Sequence, residues 1–261
     1  MPLCTLEIPR VESGLSDSEE IAVCNKSLDL TLKGLDIPEW DREYRVVVSN
    51  EISEPKLTIS FTAGSDEYKT GRIFNPSRKK IFETTKLIQS DPLISEFGIG
   101  SIVMEPWVNT TFISRPEDKE SVLSIPPVEF ISRTPEEVGE VRIKLAISPE
   151  KMNRHSVSPE VEQFLENQHF NKVGQETSSL IKEALQLPEK SDMRIEILPT
   201  HLVQTDVSIE VDFMTISKPL LSEEREFIAK SIMQILDKDS STSEGSATIW
   251  VRQGESDSIQ N

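Results

Sequence analysis

LQLPEKSDMRIEIL (residues 185–198) decides how this chain is organised, because LDIPEWDREYRVVV (35–48) states the same pattern earlier. Leu35, Ile37, Pro38 and Glu39 match Leu185, Leu187, Pro188 and Glu189 at a shift of 150. A one-residue adjustment sets Arg45, Val46 and Val48 on Arg194, Ile195 and Ile197. Back at a shift of 150, LTISFTA (57–63) overlies VSIEVDF (207–213), with Ile59 on Ile209 and Phe61 on Val211. At a shift of 147, Arg78 and Ile81 fall on Arg225 and Ile228, and SIVMEPW (101–107) sits near ATIWVRQ (247–253). Identities are few, but apolar periodicity changes character at the same places in both halves, which chance seldom arranges four times over.

Each half then reads the same way. A short strand, LCTLEI (3–8) or VRIKLAI (141–147), is followed by a helix. In the first half Ser16 is the expected N-cap, with Glu19 at capping-box spacing, and Ile21, Leu28, Leu32 and Leu35 form an apolar stripe. In the second, residues 163–185 carry Phe164, Val173, Leu180, Ile181 and Ala184. Pro38 and Pro188 stop both helices. Two strands follow, 44–48 with 57–62 and 193–198 with 207–213. A second helix starts at 75–89, with Pro76 in its first turn, or at 222–237, where Ser222 caps and Glu223 and Glu224 favour the dipole. A closing strand ends each half.

The expectation is therefore an α+β chain of two tandem β-α-β-β-α-β domains, 1–114 and 139–261, joined by a proline-rich linker over 115–138 in which VEFIS (128–132) could add an edge strand. Residues 254–261 read as a frayed end. Two sheet plans carry this order. The β-α-β pieces either lie side by side, each with parallel strands, or interleave into one antiparallel sheet in the ferredoxin-like manner.

Composition narrows the functional classes. With 36% hydrophobic and 28% charged residues the chain is an ordinary globular protein, and its short apolar runs are far from the roughly 18–20 residues that span a bilayer. The first residues lack a secretory pattern, so a cytoplasmic protein is expected, without membrane association. A net charge of −17 repels nucleic acid, so no nucleic-acid partner is expected, and RKK at 78–80 reads as the solvated face of a helix. Cys4 and Cys24 are expected to be reduced and structural. His155, His169 and His201 match no metal-ligand spacing, and there is no phosphate loop, so neither metal nor cofactor is expected.

The chain opens MPLCTLEIP, and with the helix end LTLKGLDIPE (30–39), the strand YRVVV (44–48) and TIWVRQGE (248–255) it resembles the tautomerase superfamily, the group of macrophage migration inhibitory factor and 4-oxalocrotonate tautomerase. The resemblance implies the side-by-side plan, removal of the methionine, and use of the exposed Pro2 nitrogen as a base on a small α-keto or enol acid. Such a nitrogen is a secondary amine; α-amino groups titrate at about 8 in water, and partial burial or a nearby cation lowers this toward neutrality. A base so poised suits proton abstraction beside a carbonyl.

The resemblance further implies cations for the substrate carboxylate. Arg72, leading into the second helix, Arg78 one turn inside it, and Lys33 near the end of the first helix are the candidates. Trp107 and Phe112 form either an apolar wall or part of a core. In the second half Val141 takes the place of Pro2 inside the chain, so that domain is expected to be non-catalytic. A homo-oligomer is expected, three chains forming two stacked rings being the simplest closed solution. Two other readings stay open: a catalytically silent interaction protein of the same fold, and a tandem ferredoxin-like binding module.

Overall fold

The computed structural model describes residues 2–9, 16–37, 42–49, 52–63, 76–115, 125, 127–148, 159–191, 193–198, 200–214, 216–239, 242–243 and 245–254, with side chains for all of these except 108, 159–169 and 201–203. They form two compact units: 2–108 with 200–204, and 109–198 with 205–254. The described residues of the segment expected as a linker, 115, 125 and 127–138, fall within the second unit, which begins at Asn109.

In the first unit β1 (Leu3–Pro9) leads through α1 (Asp17–Leu35) to β2 (Glu43–Ser49), and β3 (Lys56–Ala63) leads through α2 (Arg78–Gln89) and the short α3 (Pro92–Glu96) to β4 (Ser101–Arg115). β1 pairs with β2 in parallel and with β3 antiparallel, and β3 pairs with β4 in parallel. Two parallel β-α-β pieces thus lie side by side. The interleaved, ferredoxin-like alternative requires an antiparallel sheet throughout and is set aside by this pairing. Cys4, Leu6 and Ile8 of β1 share a core with Val23, Leu28 and Leu35 of α1, Ile59 and Phe61 of β3, and Ile81 and Ile88 of α2. Period-2 strands meeting period-3.6 helices produce that single apolar layer.

The second unit repeats the plan. After the one-turn α4 (Pro135–Val138), β5 (Val141–Ile147) leads through α5 (Pro159–Ala184) to β6 (Met193–Leu198). A short strand, β7 (Thr200–Val203), precedes β8 (Val207–Phe213), which leads through α6 (Ser222–Lys238) to β9 (Ala247–Gln253). β5 pairs with β6 in parallel and β8 antiparallel, and β8 pairs with β9 in parallel. With Val141 in the place of Pro2, Cys4 corresponds to Ile143 and their partners Ile59 and Val211 correspond at a shift of 152, two more than the sequence comparison gives. A two-residue slip keeps every side chain on its face, so apolar patterning alone does not detect it.

The helix ends agree down to single bonds. Asp36 and Gln186 both take left-handed backbone, at φ 54° and 53°. The Ile37 amide then donates to the Leu32 carbonyl at 2.9 Å, and the Leu187 amide to the Lys182 carbonyl at 2.8 Å. Each bond reaches back over the last turn and satisfies one of its open carbonyls. Both helices have therefore ended before the prolines. At the start of α1, the Ser16 amide and hydroxyl donate to the Glu19 carboxylate at 2.8 and 2.9 Å, as the capping spacing leads one to expect.

Other expectations shift. Pro76 lies outside α2, which Ser77 caps through its hydroxyl. Ser222 is the first helical residue of α6, after Leu221. Glu224 faces no solvent: it is fully buried against Arg133. Residues 128–132 form no strand. They are held by Arg133, which donates to Lys218 and Pro219 carbonyls, and by an edge-to-face contact of Phe130 with Phe227. β4 is longer than expected, with Asn109 at φ 56° where one unit gives way to the other. β7 was not expected at all, and it extends the first unit by pairing antiparallel with β2.

Candidate functional site

The strand registers define one end of the first unit. Leu3 stands opposite Glu43, the first residue of β2, and opposite Ser60 near the finish of β3. Pro2 precedes it, buried, with its carbonyl accepting the Glu43 amide at 3.2 Å. Because β1 and β2 are parallel, α1 must run back between them, and its last turn returns to this end. β3 leaves from the same end at Ala63, and the chain re-enters there at α2.

The two helix termini meet. Lys80 of α2 forms an ion pair with Asp36 after α1, and a Cβ on Gly34 would lie 2.5 Å from Thr84 Oγ1. Only glycine permits so close a crossing.

Pro2, Lys33 in the last turn of α1, and Arg78 at the first position of α2 therefore share this end of the unit. Lys33 and Arg78 are exposed. Arg72 lies outside the described residues, in the connection between β3 and α2. Two ionisable residues that sequence reasoning passed over sit closer to the strand: Glu43 is 3% exposed and Arg45 4% exposed, with Arg45 Nε donating to Thr5 Oγ1 at 3.0 Å. No local signal marked them: two charges at alternate positions of the short strand EYRVVVS read as a solvent-facing side, since strands buried on both faces are near-continuously apolar.

Beneath Pro2, Cys4 and Cys24 are both buried free thiols. Hydrogen bonding with Cys4, then burial, pushes the Cys24 thiol well up, so it is held protonated. Burial also raises Tyr44, which stands beside Cys4 in the register. The charge of Glu20, 1% exposed, adds to the rise of the Cys24 thiol, so a buried carboxylate shares this ground with the thiols. Among the described residues no group of three or more His, Cys, Asp or Glu side chains is placed to hold a metal, and no helix is long and apolar enough to cross a membrane.

Trp107 is 5% exposed and stands opposite Thr62 on β3, whereas Phe112 packs on Trp250 of the second unit with ring centroids 4.7 Å apart. In the second unit Val141 is 1% exposed, and as an in-chain residue it offers no amine.

No family model, curated protein or solved structure matches the chain.

Proposed function

We propose that the chain is a tautomerase-type enzyme, one β-α-β-β-α-β unit written twice, in which a freed Pro2 amine moves a proton on a small α-keto or enol acid. The observation that carries this reading is the convergence of a buried Pro2, the Lys33 end of α1 and the Arg78 start of α2 at one end of the first unit. The side-by-side pairing of parallel β-α-β pieces supports it as well.

The chemistry requires Met1 to be removed, since an acylated Pro2 nitrogen is an amide without basicity. A secondary amine at that buried position loses part of the hydration of its cation and is thereby lowered from the ordinary α-amino range. It then takes the proton α to the substrate carbonyl, the electron pair moves into the enolate, and the amine returns the proton to oxygen or carbon. Lys33, Arg78 and Arg72 supply positive charge for the carboxylate. Val141 cannot perform this step, so the second unit is non-catalytic. A homo-oligomer of three chains belongs to the same reading.

Intact mass of the purified protein, combined with ketonisation of phenylpyruvate enol, tests it. The expected result is a mass lacking methionine and turnover that falls by about a hundredfold or more in Pro2→Ala. A retained methionine or absent turnover leaves a catalytically silent protein of the same fold, and turnover unaffected by Pro2→Ala rules out the Pro2 amine as the base.

A further inference from the structure

The second unit has a cleft of about 630 Å3 at the end where β5 and β6 begin. Local backbone opens it. Gly139, at φ 67°, turns the chain between α4 and β5 and sets Val138 in one wall. The left-handed Gln186 ends α5 and turns Leu187 into another. Val141 and Met193, adjacent in the parallel register, line it as well. A cleft of this volume with apolar walls is suited to a small organic molecule.

Its polar groups are few and unequal. Glu136, Glu140 and Arg194 carry charge into the lining. Arg194 is balanced by Glu196 at 2.7 Å, and Glu140 by Arg142 at 2.7 Å. Glu136 has no ion pair among the described residues. Hydrogen bonding from the backbone and from Thr134 holds its carboxyl below the usual range, and the Arg142 hydrogen bond does the same for Glu140, so both are anions at neutral pH. Ser191 adds a buried hydroxyl oxygen without a hydrogen-bond partner. An uncompensated carboxylate and an unsatisfied hydroxyl beside an apolar surface are what an ammonium on an apolar body would complement.

We propose that this cleft binds a small organic cation, a primary ammonium on an apolar body of arylethyl size, with the ammonium at the Glu136 rim and the body against Leu187 and Met193. The site is separate from the Pro2 chemistry and does not rest on it.

Phenethylamine and 3-phenylpropionate, similar aryl bodies of opposite charge, are titrated into the full chain and followed by amide resonances. The amine is expected to shift Val141, Leu187, Ser191 and Met193 saturably, and to bind at least about tenfold more tightly than the acid. Glu136→Gln, at an exposed position that leaves the fold intact, weakens the amine by about threefold to fivefold. Leu187→Trp fills the cleft and abolishes the shifts. Equal or tighter binding of the acid, amine affinity unchanged in Glu136→Gln, or shifts absent from these four residues overturns the proposal.

Discussion

A guanidinium and a carboxylate with no exposed side-chain surface, Arg133 and Glu224, meet in the second unit through two bonds of 2.9 and 2.6 Å. The carboxylate also accepts the Ile131 and Leu221 amides, each at 2.7 Å. Burial pushes the Glu224 carboxyl up, but the Arg133 hydrogen bonds, the two amides and the Arg133 charge together outweigh it and hold the group below its ordinary value. Removing one partner strands the other charge, so Arg133→Met is expected to lower unfolding free energy by about 3–5 kcal/mol in urea titrations, with much of this recovered in Arg133→Met/Glu224→Met. A loss under about 1 kcal/mol would sink the argument. The sign of the pH dependence follows from the depressed carboxyl. Its contribution is complete above the unfolded value of about 4.3 and is lost as pH falls through that value toward the lower folded one. In Arg133→Met the buried carboxyl rises above its unfolded value instead, so acidification from neutral pH toward about 4.3 should recover part of the lost stability, the opposite sign to the parent protein.

At the scale of elements, the crossing of α1 and α2 depends on the missing Cβ of Gly34. Alanine there would gain somewhat under about 1 kcal/mol of helix propensity, yet its Cβ would lie 2.5 Å from Thr84 Oγ1 and 2.6 Å from Thr84 Cγ2. Overpacking of this kind costs about 1–3 kcal/mol, so Gly34→Ala is expected to destabilise on balance. Thr84→Ala removes these two atoms and leaves only the Thr84 Cβ, at 2.9 Å, so the double variant should show a favourable coupling in a thermodynamic cycle. Simple additivity would show that the helices separate freely. The same crossing joins the termini that carry Lys33 and Arg78, so Gly34→Ala should also raise KM for an acid substrate if the Pro2 reading holds.

For the whole molecule, the strand β7 links distant parts of the sequence, because residues 200–204 complete a unit otherwise built from 2–108. The Glu43 amide donates to Pro2, so odd residues of β2 turn their backbone toward β1. The Tyr44 carbonyl accepts the Gln204 amide at 3.3 Å, so even residues turn theirs toward β7. Leu202→Pro interrupts β7 where it stands opposite Val46. Hydrogen exchange at the Val46 amide should then accelerate while that of Val47, held by β1, stays unchanged. Equal acceleration at both would mean that the strand is not a separate edge partner.

Local chemistry determined what the sequence alone made legible. Strand and helix order, the Ser16 cap and the paired helix ends near Leu35 and Leu185 depend on residues within a few positions of each other, and period-2 and period-3.6 patterns record them directly. Pro2, Lys33 and Arg78 were named through the resemblance and not through local pattern; the sequence showed only that each stands near the terminus of an element. What only the tertiary structure decided is non-local. The partner of β2, the two-residue slip between the units, the docking of 127–134 through Arg133, and the burial of Glu43 and Arg45 all depend on which surfaces meet. A charged side chain reads as exposed until a partner far along the chain takes it out of water, and no local pattern carries that information.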